Sequence, residues 1–368
     1  MRENKKEHYY FIDTLRAIAC FFVVLHHTLI YSQGSSFAEY YKDHLKFFFI
    51  TVPLYLTISG FVHAQNGTFK KQSYRSYVSD KAKRILVPYF VLSLVTLVFR
   101  WAAESFNLLP MHEHQFTPFV WSNAVQRILF AGVEGHYYFL LILFLYLLAL
   151  PAILHFFKNR TSVLLSFAFI FIVDALMRNR YELWHTNEWE PLNLLVAFIA
   201  GIKFFYFGFV LQKYYPVLQN ILKKYGIPIA IVMTGLYGVV NHNVPAYHEQ
   251  WLFLQLVAYF SFAYAVLNQP SKLIQLISSL SFGIYLLHQP YFIRFARIAL
   301  GLMKLDPNAQ FELTALIAFV STAAFVWIIS SNLWANRLIL GQNWATKPTG
   351  RKLRRPLEPK LPTADSKA

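Results

Sequence analysis

Long apolar stretches alternate with short polar segments along the whole chain. An α-helix needs about 20 apolar residues to cross the hydrocarbon core of a bilayer. Ten windows approach or reach this length: 9–31, 44–64, 84–102, 136–156, 160–176, 191–212, 226–240, 250–268, 278–299 and 311–332. The pattern predicts an all-α protein, a polytopic integral membrane bundle of about ten transmembrane helices.

Lysine and arginine are unevenly distributed among the polar segments that separate these windows. With a cytoplasmic N-terminus, the inner segments hold 23 of these residues and the outer segments hold 5. Cytoplasmic loops of membrane proteins carry an excess of positive charge. The alternation therefore predicts that both termini are cytoplasmic. We also expect the first helix to be retained, because no small-residue cleavage site follows it.

The composition agrees with a membrane protein and narrows its partners. Hydrophobic residues make up 56% of the 368 and charged residues only 14%, whereas soluble domains carry about 25% charged residues. The net charge of +16 lies mainly in the loops between apolar windows, which favours membrane lipids and argues against nucleic acid as a partner. The single cysteine excludes a disulfide framework and a cysteine-based metal site.

Two basic segments have separate interpretations. Residues 65–90 combine basic and aromatic residues, which predicts an amphipathic helix on the inner membrane surface that continues into the third span at Pro88. Lys81 and Arg84 are three residues apart and share a helix face; their spacing fits a phosphorylated ligand and anionic lipid equally well. Residues 341–368 are rich in Lys, Arg and Pro, which predicts a disordered cytoplasmic tail after a transmembrane domain of residues 1–340.

The first window contains more ionisable residues than a simple membrane anchor would keep. Asp13, Arg16 and His27 fall on one stripe of the helix together with Cys20, whereas His26 points elsewhere. His27 follows Arg16 by eleven positions, which corresponds to roughly 16 Å of helix rise. Ionisable groups at membrane depth are costly and generally functional. We therefore interpret this helix as the centre of a functional site.

Two further polar patterns have ordinary structural explanations. Thr57 and Gly60 in the second window favour close packing against a neighbouring helix, and a substrate contact is the less favoured alternative. His112 and His114 in the outer segment 103–135 resemble a metal motif, but two histidines without a third ligand are weak evidence. We therefore interpret that segment as a solvated loop and predict no metal site.

The fourth and ninth windows add polar residues at comparable depths. His136 opens the fourth window at the outer interface, directly after Glu134 and Gly135. In the ninth window Ser281, Tyr285 and His288 share one helix face. His288 precedes Gln289 and Pro290, so a purely structural role in a broken helix has the same weight as a functional one.

The predicted depths of the polar residues in the membrane favour acyl transfer over proton transport. Arg16, Lys81 and Arg84 lie toward the cytoplasmic side, while His27 and His136 lie toward the outer side. A proton pump would be expected to use intramembrane carboxylates, and the spans contain only Asp13, Asp174 and Glu312, of which Asp13 is placed to pair with Arg16. A phosphorylated thioester bound to the inner cations would instead extend outward, toward a histidine that deprotonates a hydroxyl.

Five segments in order resemble the membrane-bound acyltransferase 3 family over nearly the whole chain. They are IDTLRAIA…HH in the first helix, PLYLTISGFV in the second, KAKRILVPY entering the third, GHYYFLLILFLYLL in the fourth and SLSFGIYLLHQPYF in the ninth. The resemblance implies a membrane O-acyltransferase that moves an acetyl group, usually from cytosolic acetyl-CoA, to a carbohydrate outside the bacterial cytoplasmic membrane. It implies no tightly bound cofactor.

The family's motifs map onto particular residues of this chain. The resemblance places its Arg-x10-His pair on Arg16 and His27, its basic pair on Lys81 and Arg84, and its fourth-helix histidine on His136. Two departures are visible: Lys81 replaces an arginine, which keeps the charge but loses bidentate geometry, and two tyrosines follow His136 where a residue and then tryptophan are expected. Some relatives carry a fused hydrolase-like domain; we expect this chain to complete transfer within its membrane domain.

Together these features lead to a specific functional hypothesis. His27, with Arg16 and Asp13, is predicted to be catalytic; Arg16, Lys81 and Arg84 are predicted to bind the donor. His136, His288, Tyr285 and Ser281 are predicted to line the substrate path. The alternatives are a flippase or exporter of a lipid-linked saccharide and a structural partner in an envelope assembly complex. The sequence leaves open the acceptor glycan, and whether the acyl group is acetyl, succinyl or another.

Overall fold

A computed structural model describes residues 8–30, 32, 34–42, 50–66, 73–107, 115–156, 159–184, 191–244 and 248–342. The described chain is entirely helical, without a strand, as the hydrophobic pattern predicts. The segments that include His112 and His114, and the tail from residue 343 onward, lie outside the described residues.

Thirteen α-helices are described, together with one 3₁₀ turn at Gly135–Tyr137 and one π-helix at His288–Ile293. In chain order they are α1 (Tyr10–Leu29), α2 (Ser36–Tyr40), α3 (Val52–Asn66), α4 (Tyr74–Ser105), α5 (Trp121–Leu129), α6 (Tyr138–Phe156), α7 (Arg160–Trp184), α8 (Pro191–Asn243), α9 (His248–Val266), α10 (Lys272–Leu287), α11 (Arg294–Gly301), α12 (Pro307–Ser330) and α13 (Leu333–Leu340).

Five helical segments are long and apolar enough to cross a membrane by length and composition: Tyr10–Leu29, Tyr74–Ser105, Gly135–His155, Leu194–Asn243 and Pro307–Ser330. Val52–Ala64 and Gln250–Val266 are apolar but shorter. The structure therefore agrees with an integral membrane bundle, while the count of ten spans and the cytoplasmic position of the termini stay predictions.

Helix α8 differs from the sequence expectation because it joins two predicted spans and the polar segment between them. Its first half runs parallel to α9, since Phe204 stacks on Phe253 and Tyr215 contacts Tyr264. Its second half is antiparallel, because Gly226 packs against Ala265 and the indole of Trp251 donates to the carbonyl of Val244 at 3.2 Å. The chain therefore reverses direction between residues 215 and 226, near Pro216 and Pro228.

The predicted close packing of the second window is confirmed where α3 crosses α8. A Cβ at Gly60 would overlap the carbonyl oxygen of Phe205, and a Cβ at Gly208 would overlap that of Thr57. The Thr57 hydroxyl is buried at the crossing and donates to the carbonyl of Phe204 at 3.2 Å. Such small-residue contacts allow helix backbones to approach closely in membranes.

A buried ion pair connects α7, α8 and α9. Nζ of Lys203 lies 2.6 Å from a carboxylate oxygen of Asp174, and the Gln250 amide donates to the same oxygen at 2.9 Å. Lys203 is fully buried and Asp174 nearly so. Pairing and hydrogen bonding reduce the cost of placing these groups at membrane depth. Asp174 is therefore engaged in helix packing, a role that its sequence position alone did not indicate.

From Tyr74 onward, the basic segment and the third predicted span form one continuous helix, α4, which contains Pro88; residues 67–72 lie outside the described residues. A proline has no N–H to donate, so the carbonyl of Arg84, four residues earlier, lacks its usual helical partner. Gly341, with φ +62° at the end of α13, lies directly against that carbonyl. A side chain at position 341 would collide with the α4 backbone beside the predicted donor residues.

Candidate active site

Three histidines from distant parts of the chain converge at one end of the bundle. The ring centroids of His27 and His288 are 5.0 Å apart, those of His136 and His288 are 5.1 Å apart, and those of His27 and His136 are 5.6 Å apart. The three imidazoles thus form a compact triangle. We call His27, His136 and His288 the histidine cluster.

Two reciprocal hydrogen bonds join the segment that carries His136 to the segment that carries His288. The Tyr285 hydroxyl, on α10, donates to the carbonyl of His136. The Tyr137 hydroxyl donates in return to the carbonyl of Leu286 at 3.3 Å. That carbonyl lies four residues before Pro290, which has no N–H to offer it. The break in the ninth window therefore receives its missing donor from Tyr137.

The three histidines differ in their access to substrate. His288 is completely buried and His136 is 5% exposed, whereas His27 keeps intermediate exposure. Nδ1 of His27 is buried and without a hydrogen-bond partner among the described residues, which leaves its Nε2 as the nitrogen that can reach a bound molecule. His26, the neighbouring histidine, is exposed on another face of α1, as predicted. Among the described residues, no group of three or more His, Cys, Asp or Glu has the geometry of a metal site.

A buried carboxylate lies beside the histidine cluster. Glu134 is 3% exposed and lies 3.3 Å from Nη2 of Arg294 and 4.0 Å from Nη1 of Arg100. Burial raises the pKa of Glu134, and the two guanidinium groups oppose that rise. The charge of Arg294 is therefore directed inward, to Glu134. This network connects the chain before His136 to the helix that follows the π-helix.

The outer segment that contains Glu134, residues 103–135, was predicted to be a solvated loop. Its described part is instead held by specific hydrogen bonds. The Glu104 carboxylate accepts the backbone N–H groups of Gln115 and Phe116 at 3.0 and 2.7 Å. Arg127 donates to the carbonyl of Gly132 at 3.2 Å. Hydrogen bonds therefore hold Gln115 and Phe116 against the end of α4 and fix the turn at Gly132 that leads to Glu134.

At the opposite end of α1, the predicted donor residues lie around one histidine that the sequence analysis missed. His63, on α3, is within electrostatic range of Arg16, Lys81 and Arg84. Nδ1 of His63 donates to the carbonyl of Ser59 at 2.9 Å. Lys81 is half-buried and also lies 5.3 Å from the Tyr77 ring, and Arg84 is exposed. We call Arg16, His63, Lys81 and Arg84 the basic cluster.

Arg16 is unusual within this cluster because it is half-buried without a fixed partner. The structure shows no hydrogen bond or ion pair between its guanidinium and any other described residue. Asp13, its predicted partner, remains within electrostatic range of the guanidinium, but the two groups do not form a direct ion pair. Asp13 instead accepts the Ser278 hydroxyl at 2.7 Å and contacts Nε2 of His8 at 2.6 Å. The i, i+3 spacing allowed an ion pair, but α10 and the start of the chain provide closer partners.

Asp13 and Ser281 therefore lie away from the histidine cluster. Asp13 is at the basic end of α1, and the Ser281 hydroxyl donates to the carbonyl of Ser278 at 2.8 Å within α10. Of the ninth-window residues, Tyr285 and His288 reach the cluster, with Tyr285 5.4 Å from His136 between ring centroids. The face predicted to carry Ser281, Tyr285 and His288 is present, but only its last two residues belong to the candidate site.

Tyr55 lies between the two clusters. Its ring centroid is 6.0 Å from that of Tyr285, and its hydroxyl is close to Cys20 and within electrostatic range of Arg16. The hydroxyl is buried and, apart from the neighbouring Cys20 thiol, has no hydrogen-bond partner within the described chain. Tyr55 and Tyr285 thus place polar groups along the interior between Arg16 and the histidines. An aromatic residue in an aromatic-rich helix gave no sequence signal for this role.

Comparison with known proteins decides the family. The model of the acyltransferase 3 family, described as an acyltransferase domain, matches residues 9–331. The chain belongs to the acyltransferase 3 family. It is therefore a membrane acyltransferase, and the alternative of a saccharide exporter receives no support. No curated protein and no solved structure matches the chain significantly.

We expect Tyr285→Phe to lower the turnover of this acyltransferase about 5-fold. The substitution removes one hydrogen bond, worth about 1 kcal/mol, and releases the backbone that carries His136. Acyl transfer by purified protein in lipid nanodiscs measures the effect. The matched control is Tyr146→Phe, which removes a buried hydroxyl that donates to the carbonyl of Phe198 at 2.5 Å, away from the histidines. Equal rates for the two variants would show that the bond to His136 is irrelevant to turnover.

Proposed function

We propose that this membrane acyltransferase is an O-acetyltransferase. It takes an acetyl group from acetyl-CoA on the cytoplasmic side and transfers it to a hydroxyl of a carbohydrate outside the bacterial cytoplasmic membrane. The proposal rests on the two ends of the protein interior. One end holds the partly exposed imidazole of the histidine cluster, and the other holds the Arg16 guanidinium of the basic cluster, which has no ion-pair partner among the described residues. Roughly 16 Å of α1 separates them.

The basic cluster suits the phosphates of the donor. Arginine binds phosphate oxygens in a planar, bidentate manner, and lysine adds a point charge. Arg16 has no protein partner to displace among the described residues, so its hydrogen-bonding capacity is available to an anion. The long pantetheine arm of a donor held here extends past Tyr55 toward the histidine cluster and brings the thioester to the opposite end.

In the proposed reaction, Nε2 of His27 accepts the proton of the acceptor hydroxyl while the oxygen attacks the thioester carbonyl. The new C–O bond forms, the C–S bond breaks, and the leaving thiolate receives the proton from the His27 imidazolium. The products are an O-acetyl ester and free coenzyme A thiol. No redox partner or metal is needed to balance the reaction.

The experiment that tests the proposal combines a cellular and a purified assay. Mass spectrometry compares surface glycans from cells with and without the gene, and we expect an added acetyl mass only when the gene is present. Purified protein in nanodiscs should release thiol from acetyl-CoA only when an acceptor saccharide is supplied. Glycans that are equally acetylated without the gene, or that become scarcer without losing any acyl mass, would contradict the proposal.

We expect Arg16→Ala to raise the KM for acetyl-CoA by about 10- to 100-fold, because charge-assisted hydrogen bonds contribute roughly 1.5–3 kcal/mol. Arg16→Lys should recover only part of this loss, since it restores charge without bidentate geometry. Lys83→Ala is the control, because it removes one exposed positive charge close to the basic cluster along α4. Equal effects of alanine and lysine at position 16 would argue against a shaped phosphate contact.

A further inference from the structure

His288 lies at the point where α10 ends and the π-helix begins, and its imidazole is completely buried. Nδ1 of the ring contacts the carbonyl of Ile284 at 3.0 Å. A carbonyl oxygen can only accept, so Nδ1 carries the proton of this hydrogen bond. In the neutral ring, Nε2 is then left with its lone pair.

That lone pair has no partner within the described chain, although the nitrogen is buried. The nearest histidine ring is that of His27, whose buried Nδ1 also lacks a partner. The two ring centroids are 5.0 Å apart. Two imidazoles joined by an N–H···N bond of about 3 Å have centroids about 5 Å apart. The separation therefore fits a direct bond after a rotation of the rings.

Resting on the proposed role of His27 as general base, we propose that His288 is its positioning residue. Nε2 of His288 accepts the Nδ1 proton of His27 and selects the tautomer of His27 whose lone pair is on Nε2. That nitrogen is the one that can reach the acceptor hydroxyl. The carbonyl of Ile284 determines both tautomers. It holds the proton of His288 on Nδ1, and the free Nε2 of His288 then holds the proton of His27 on Nδ1.

The geometry favours His288 over His136 as the partner. The His136 ring is farther from His27, at 5.6 Å, and its neighbours are the Gln289 side chain and the backbone of Leu286. Within the described chain, neither nitrogen of His136 makes a hydrogen bond of normal geometry, and the nearby Leu286 carbonyl already accepts from Tyr137. The tautomer of His136 is therefore not fixed in the way that Ile284 fixes that of His288. His136 is left to line the space in front of His27.

Asparagine and glutamine at position 288 separate the positioning role from a structural one. The amide nitrogen of asparagine is as many bonds from Cβ as Nδ1 of histidine, so His288→Asn can keep the contact with Ile284. The amide oxygen of glutamine is as many bonds from Cβ as Nε2, so His288→Gln can accept the proton of His27. His288→Ala removes both contacts.

The first readout is turnover. We expect His288→Ala to reduce kcat by about 10- to 100-fold, the usual effect of removing the group that orients a functional histidine, with little change in the KM for acetyl-CoA. His288→Gln should recover most of the lost kcat and His288→Asn should recover little. Recovery by asparagine but not by glutamine would overturn the proposal and assign His288 to the helix break.

The second readout is independent of the reaction. The ¹⁵N chemical shifts of histidine-labelled protein in bilayers report the tautomer of each ring, and the His27 signal is identified by its loss in His27→Gln. We expect His27 to carry its proton on Nδ1 in the wild-type protein and to show mixed tautomers in His288→Ala. An unchanged tautomer would overturn the proposal. Failure of wild-type protein to transfer acetyl groups would instead contradict the proposed function, while the tautomer measurement still tests His288.

Discussion

Replacing His27 by alanine is expected to lower acyl transfer by about 10²- to 10⁴-fold, the contribution of a positioned general base. The imidazole is the accessible member of the histidine cluster, so no other ring in the cluster can take its place at the acceptor hydroxyl. Acetylation of glycans in complemented cells and thiol release by purified protein measure the loss. The variant should still insert and fold, because His27 is only half-buried and its ring bonds to no backbone group of the described chain.

The control for this prediction is the neighbouring residue. His26→Ala removes an imidazole of the same type from the same helix, but from an exposed face outside the histidine cluster. We expect normal transfer by this variant. Retention of transfer in His27→Ala, or equal losses in both variants, would exclude His27 as the base.

The second large effect is expected at the crossing of α3 and α8. Gly60→Ala would place a methyl group into the carbonyl of Phe205, and Gly208→Ala would do the same to Thr57. Because both obstacles are backbone atoms, the helices must separate and the Thr57 hydrogen bond to α8 must lengthen. We expect each variant to lower the free energy of unfolding by about 3 kcal/mol, at the upper end for overpacked sites.

Unfolding in detergent micelles, followed by circular dichroism, measures this loss of stability. Gly235→Ala in α8 is the matched control, since no atom lies within 4 Å of the position of its Cβ. That substitution should leave stability unchanged or raise it by about 0.5–1 kcal/mol, because alanine is the better helix former. Similar destabilisation at positions 60 and 235 would mean that glycine at the crossing is not required for close approach.

The sequence predicted those features that depend only on the spacing of residues within one helix. The stripe that contains Arg16 and His27 follows from the helical period, and the close crossing at Gly60 follows from small residues. The partner of Asp13 was mispredicted because the choice between Arg16 and Ser278 depends on how α10 packs. Similarly, nothing in the residues near Arg294 shows that its charge pairs with Glu134.

The assembly of the histidine cluster could be predicted only in outline. The positions of His27 and His136 in their predicted spans placed both near the same side of the membrane. The contact of His288 with both depends on the π-helix and on the hydrogen bond from Tyr137 to Leu286. His63 was missed because its significance comes only from cations on two other helices. The reversal within α8 agrees with the two separate spans predicted on either side of residues 213–225, whereas the continuous helix that joins them was not predicted.

The reciprocal tyrosine bonds have a practical consequence for engineering this enzyme. Both hydroxyls bind main-chain carbonyls, at His136 and Leu286, and every amino acid supplies the same carbonyl. Substitutions at position 136 therefore leave in place the tyrosine bond that anchors its backbone, so changes in acceptor preference can be sought there. Leu286 is fully buried in the hydrophobic core, so its side chain has to be kept.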